Sequence, residues 1–137
     1  MGLYLCIFDG DGELDGIQVG SYADFNFFRN SVVRVAEGGV AGSRCPTLNS
    51  HHDSDGEWSP SECSMLIKEI ELINDAFEGP PAIDFNSKWQ TDVARNSGIV
   101  PKNLAECFFD VDGEPLLDRL KALAERGKRL GLPILFQ

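Results

Sequence analysis

The amino-acid sequence predicts an α+β fold: one domain, residues 1–137, in which a small, mostly antiparallel sheet packs against three to four helices. Three observations carry that expectation. Apolar runs of strand length stand near both ends of the chain, a glycine-rich reversal follows the first of them, and stretches with helical periodicity and start signals lie between. An N-terminal hairpin and two C-terminal strands are expected to supply the sheet. At 137 residues the chain has the size of one ordinary domain and buries ~68% of the surface its unfolded form exposes.

Residues 3–8 form an apolar run, and residues 14–19 form a second strand candidate with Ile17 and Val19 alternating. Between them Asp9-Gly10-Asp11-Gly12-Glu13 supplies glycines for a tight reversal. Ser21 with Asp24 three residues on is a helix start, and Phe25, Phe28, Val32 and Val35 continue at helical spacing toward Glu37. Residues 39–58 lack periodicity and are rich in Gly, Ser, Asn and Asp, which predicts a long loop. Ser59-Pro60-Ser61-Glu62 is a capping box with proline in the first turn, followed by the stripe Leu66, Ile70, Ile73 and Phe77. Gly79-Pro80-Pro81 ends that helix. A short helix is expected over 87–95, closed by Gly98, and a strand over 105–111. Pro115 then opens a last helix with Leu116, Leu120, Leu123 and Leu130 on one face, before a final strand at 133–136.

Charge narrows the function classes. Lys plus Arg number 12 against 22 Asp plus Glu, a net charge of −10 and a pI near 4.5. Such a field repels phosphate backbones and anionic lipid surfaces and attracts basic ones. Nucleic acid and membrane are therefore not the expected partners. Residues 1–78 hold 14 acidic and 4 basic residues, whereas 115–137 hold 2 and 5. No basic residue precedes the first apolar run, which meets Asp9 too soon for a signal peptide, so the cytoplasm is the expected location. Cys6, Cys45, Cys63 and Cys107 form no Cys-x-x-Cys pair and are expected as reduced, mostly buried thiols.

Chemistry-bearing motifs are sparse. Asp11, Glu13, Asp15 and Gly16 match the opening of an EF-hand loop, but Tyr22 stands where the closing bidentate Glu is required. His51, His52 and Asp53, with Asp55 and Glu57 nearby, are metal-ligand types, and a small metal-binding or hydrolytic enzyme built on that loop is the alternative reading. Adjacent histidines in an extended segment point to opposite faces, however. No phosphate-binding glycine loop and no nucleophile elbow occurs. No enzyme activity and no cofactor is expected. What remains is a surface: Asp11 and Glu13 at the hairpin tip, with Asp53, Asp55 and Glu57 around Trp58 as an aromatic anchor, are the expected partner-binding residues.

Four segments carry a family likeness: Met1-Gly2-Leu3-Tyr4-Leu5-Cys6-Ile7-Phe8-Asp9, Val19-Gly20-Ser21-Tyr22-Ala23-Asp24-Phe25, Asp110-Val111-Asp112-Gly113-Glu114-Pro115-Leu116 and Pro133-Ile134-Leu135-Phe136-Gln137. Together they resemble the immunity protein 70 family of bacterial polymorphic toxin systems. The resemblance implies a small cytoplasmic α+β protein that binds a cognate toxin domain and blocks it in the producing cell. It implies no catalytic step. A basic nuclease is the first expectation for the toxin, because nucleic-acid-cutting domains have basic clefts.

Overall fold

The computed structural model describes residues 2–52 and 56–137. In chain order its elements are β1 (Gly2–Asp9), β2 (Gly12–Ser21), α1 (Tyr22–Val35), α2 (Pro46–Asn49), β3 (Glu57–Trp58), α3 (Pro60–Glu78), α4 (Lys88–Ser97), a 3-10 turn at Ala105–Cys107, α5 (Leu116–Leu130) and β4 (Ile134–Phe136). The four strands form one antiparallel sheet in the order β2-β1-β4-β3. The predicted α+β class and the N-terminal hairpin are therefore present.

The hairpin closes through two residues, Gly10 and Asp11, with Asp9 opposite Gly12. Gly10 has φ 64°, a positive value at the first loop position, where a two-residue turn favours glycine. Leu14 and Val19 are each an extra residue on β2 relative to β1. Such bulges let β2 turn both side chains toward the core: Val19 is buried and Leu14 packs at the core edge.

Helices α1, α3 and α5 cover one face of the sheet, meeting Leu3, Leu5, Ile7 and Ile17, each at most 1% exposed. Gly127 of α5 lies against Cys63 near the start of α3, and Lys121 pairs with Glu71 further along, so the two helices run antiparallel. Capping boxes form at Ser21 with Asp24 and at Ser59 with Glu62, as their spacing predicts. Gly98 and Gly131 close α4 and α5 in the left-handed conformation. All four cysteines are free and buried.

Two sequence expectations are corrected. Residues 105–111 are not a sheet strand: after the 3-10 turn Phe109 and Pro115 form an isolated bridge, and the Val111 N–H donates to the Gln18 carbonyl of β2 at 3.1 Å. The apolar run exists to fill the core, with the Phe108 ring packed against Phe27, Phe28 and Phe77. The sheet therefore has one C-terminal strand, and its fourth strand is β3. The expected loop of 39–58 also contains structure, namely α2 and β3.

Two buried carboxylates hold that segment. Glu37 accepts hydrogen bonds from the backbone N–H groups of Arg44 and Cys45 at 2.9 Å and from the Asn49 amide. Glu69 accepts from the N–H groups of Thr47 (3.1 Å) and Leu48 (3.0 Å) at the start of α2. Arg29 of α1 donates to the carbonyls of Leu48 and His51. Between the two carboxylates the Cys45 thiol is pushed up to about 12, first by burial and then by the charges of Glu69 and Glu37.

Candidate interaction surface

Successive side chains of a strand point to opposite faces. In β1, Leu3, Leu5 and Ile7 meet the helices, which leaves Tyr4, Cys6 and Phe8 on the other face. The pairing extends this second face across the sheet. Glu57, Leu135, Cys6 and Gly16 form one row, and Phe8 lies opposite Glu13. With strands ~4.8 Å apart, Glu13 and Glu57 flank a patch of Tyr4, Phe8 and Leu135, each of which is half-buried. Among the described residues, the helices that share the core all lie on the opposite side.

Tyr4 crosses from β1 over β2. A Cβ at Gly16 would lie 2.0 Å from the Tyr4 hydroxyl oxygen, so glycine leaves the space the ring occupies. The pKa of the hydroxyl is raised to about 12, first by burial and then by the neighbouring Glu13 carboxylate. Glu13 is thus an exposed carboxylate close to the Tyr4 hydroxyl. Burial and the same Glu13 charge also raise the Cys6 thiol.

The predicted contact residues separate into three groups. Asp11, Glu13 and Glu57 are exposed, and the last two share the open face. Asp53 and Asp55 lie outside the described residues. Trp58 is fully buried, its indole Nε1–H donating to the Thr47 carbonyl at 2.9 Å and its ring edge-on to Phe136 at 4.6 Å. It is therefore not a surface anchor. Alternation explains why: with Glu57 outward on β3, the next side chain must point inward. Sequence reasoning missed the aromatic members of the face, Tyr4 and Phe8. The signal was a strand apolar on both sides, which ordinarily means that both sides are covered.

The calcium and metal readings meet specific geometry. Asp15, on the helix side of the sheet, is taken by Arg119 at 3.3 Å and Arg126 at 3.8 Å. In His51, Nδ1 lies 2.7 Å from the His52 carbonyl and Nε2 2.9 Å from the Glu57 carbonyl, while the ring stacks on Phe136 at 4.2 Å. Both ring nitrogens face backbone oxygens, so neither is directed at a shared site with His52. Among the described residues, no three His, Cys, Asp or Glu side chains are grouped to hold a metal ion. No helix of the described chain is long and apolar enough to cross a membrane.

At the other end of the sheet, Asp24 organises the junction of β2, α1 and α4. Its carboxylate accepts from Ser21 N–H (2.9 Å), Ser21 Oγ–H (2.8 Å), Asn86 (2.7 Å), the Ser87 hydroxyl and Trp89 Nε1–H (2.8 Å). Burial disfavours its charge, yet the bonds from Ser87, Trp89, Asn86 and Ser21 outweigh burial and hold it at about 2.

The fold and this face define a small α+β protein with a single antiparallel sheet, covered by helices on one side and presenting an acid-flanked aromatic patch on the other. The chain belongs to the immunity protein 70 family, whose sequence profile matches residues 3–136. That family supports a role in immunity to a toxin, with a toxin protein as the partner. Comparison with curated proteins and with solved structures gives no match.

Proposed function

We propose that the protein is a cytoplasmic, non-enzymatic inhibitor that binds the toxin of a bacterial polymorphic toxin system and neutralises it through an acidic surface. The family match over residues 3–136 carries this reading. The net charge of −10 supports a basic target, for which a nuclease is the first candidate, since a domain that grips phosphates is itself basic. The contact surface is the open sheet face with its rim: Asp11, Glu13 and Glu57, with Asp53 and Asp55 in the adjoining segment. Aromatic and apolar groups at the middle of an interface supply binding energy, and a charged rim sets approach and partner choice. Tyr4, Phe8 and Leu135 between Glu13 and Glu57 fit that division. No cofactor is required.

The test is to express the protein with each reading frame that flanks its gene. One neighbour, toxic by itself, is expected to become harmless on co-expression and to elute with the protein in fixed stoichiometry. If every neighbour is harmless alone and none binds, the proposal fails. With the partner in hand, the double reversal Asp11→Lys and Glu57→Lys should weaken binding at least tenfold with little change in melting temperature, because both side chains are exposed. Unchanged affinity would remove this rim from the interface.

A further inference from the structure

A second surface feature lies in the helical layer. A groove of about 550 Å³ opens where the C-terminal end of α3, the segment after α4 and the first turn of α5 meet. Its apolar lining includes Ile99, Val100 and Phe109, and Val100 is 80% exposed. Three carboxylates, Glu78, Glu106 and Asp118, also line it, and no Lys or Arg does. Among the described residues none of the three has a cation within 4.0 Å. Lys121, the lysine nearest in sequence to Asp118, pairs with Glu71 instead, and Lys102 contributes its backbone N–H to Glu106.

The three acids differ in what they do for the fold. Asp118 sits in the first turn of α5, where a negative charge favours the helix. Glu106 accepts the Lys102 N–H at 3.0 Å. Glu78 ends α3, where the exposed carbonyls already make the helix terminus negative, and Asp75 adds to this one turn earlier. Helices α1, α4 and α5 each carry a basic residue in the last turn, and α3 carries none. Of the three exposed acids only Glu78 opposes its local helix field, and among the described residues no cation lies within 4.0 Å of it. An uncompensated acid at a helix C-terminus beside an apolar groove is suited to a cation from outside the chain.

We infer that this groove receives a basic side chain, arginine by preference, from a loop of the partner protein, its stem against Ile99, Val100 and Phe109 and its guanidinium between Glu78 and Asp118. The volume suits one such side chain with its flanking backbone and lies within the range of ordinary ligand sites. Arginine fits better than lysine because its planar, weakly hydrated head tolerates apolar and aromatic walls and bonds two carboxylates at once. The inference rests on the reading of this chain as a protein-binding inhibitor, and it adds a contact separate from the sheet face.

The test does not depend on finding the toxin. The isotope-labelled full chain is titrated by NMR with acetyl-Gly-Arg-Gly-amide and with the same peptide carrying neutral citrulline. The arginine peptide is expected to shift the amides of Gly98, Ile99, Val100 and Glu106 saturably, and citrulline to leave them in place. Glu78→Lys should weaken the arginine response at least tenfold without lowering the melting temperature, since it corrects the charge at the helix end. Glu78→Gln repeats the test should the reversal disturb folding. Equal shifts from citrulline, or arginine shifts no larger here than at Asp9, Asp11 and Glu13, would overturn the groove assignment. If the toxin is found but binds Glu78→Lys as tightly as the parent, the inhibitor reading stands and the groove contact falls. If no toxin is found but the peptide selects the groove, the reverse holds.

Discussion

Asp24 shows how one side chain determines where three elements meet. It completes the α1 capping box and receives donors from Asn86, Ser87 and Trp89, more than sixty residues further along the chain. Its pKa falls from 3.8 to about 2 on folding. A depressed carboxylate contributes stability above its unfolded pKa and loses it as pH falls through the folded value. The window is therefore pH 4 to 2, and the size is about 2 kcal/mol at neutral pH. Glu37 is also lowered, its hydrogen bonds from Cys45, Arg44 and Asn49 outweighing burial, and adds in the same direction. Glu69, raised by burial, acts oppositely: its contribution is present below 4.5 and lost as pH rises through its folded value. Asp24→Asn should cost about 2 kcal/mol at pH 7 by urea unfolding, and the difference from the parent should shrink toward pH 2. A difference that does not change with pH would show that the carboxylate charge is not the source.

Among the elements, segment 39–58 depends most on distant groups. Glu69→Ala would leave the buried N–H groups of Thr47 and Leu48 without acceptors, at about 1–3 kcal/mol each. Trypsin should then cleave faster after the exposed Arg44, while Glu69→Gln, which keeps an acceptor, should be cut at an intermediate rate. Equal cleavage of all three proteins would mean that Glu69 does not hold the segment. The same dependence explains what the sequence could reveal. Helices α1, α3 and α5 announce themselves locally, through Ser21-x-x-Asp24, Ser59-Pro60-x-Glu62 and the leucine stripe after Pro115. Strand β3 has two residues and exists only because Ile134 and Leu135 pair with it, so no local pattern marks it. Without β3 the inward direction of Trp58 could not be read, and an aromatic beside acidic residues looked like an anchor. Phe108 and Phe109 misled for a related reason: short apolar runs signal burial, and burial alone does not choose strand over irregular chain. Of the surface residues, Asp11, Glu13 and Glu57 were readable as charge. Tyr4 and Phe8 required knowing that, among the described residues, the core helices all pack on the other face.

For the molecule as a whole, the uneven charge makes a kinetic prediction. The acids are concentrated in residues 1–78, whereas Lys128 and Arg129 stand exposed at the end of α5. A basic partner approaching this field is drawn to the acidic part before any side chains touch, and long-range attraction of this kind acts on encounter far more than on separation. Raising salt from about 0.1 M to about 1 M shortens the screening length from ~10 Å to ~3 Å, less than one interstrand spacing of the sheet. The association rate with the toxin, followed by stopped flow, should therefore fall at least tenfold over that range. The dissociation rate should change much less, because contacts already formed at short range are little screened. The Asp11→Lys and Glu57→Lys variant should associate more slowly at low salt and converge on the parent at high salt, where both are screened. If the parent's association rate is insensitive to salt, or if the loss appears mainly in dissociation, the acidic rim is a short-range contact and does not guide approach.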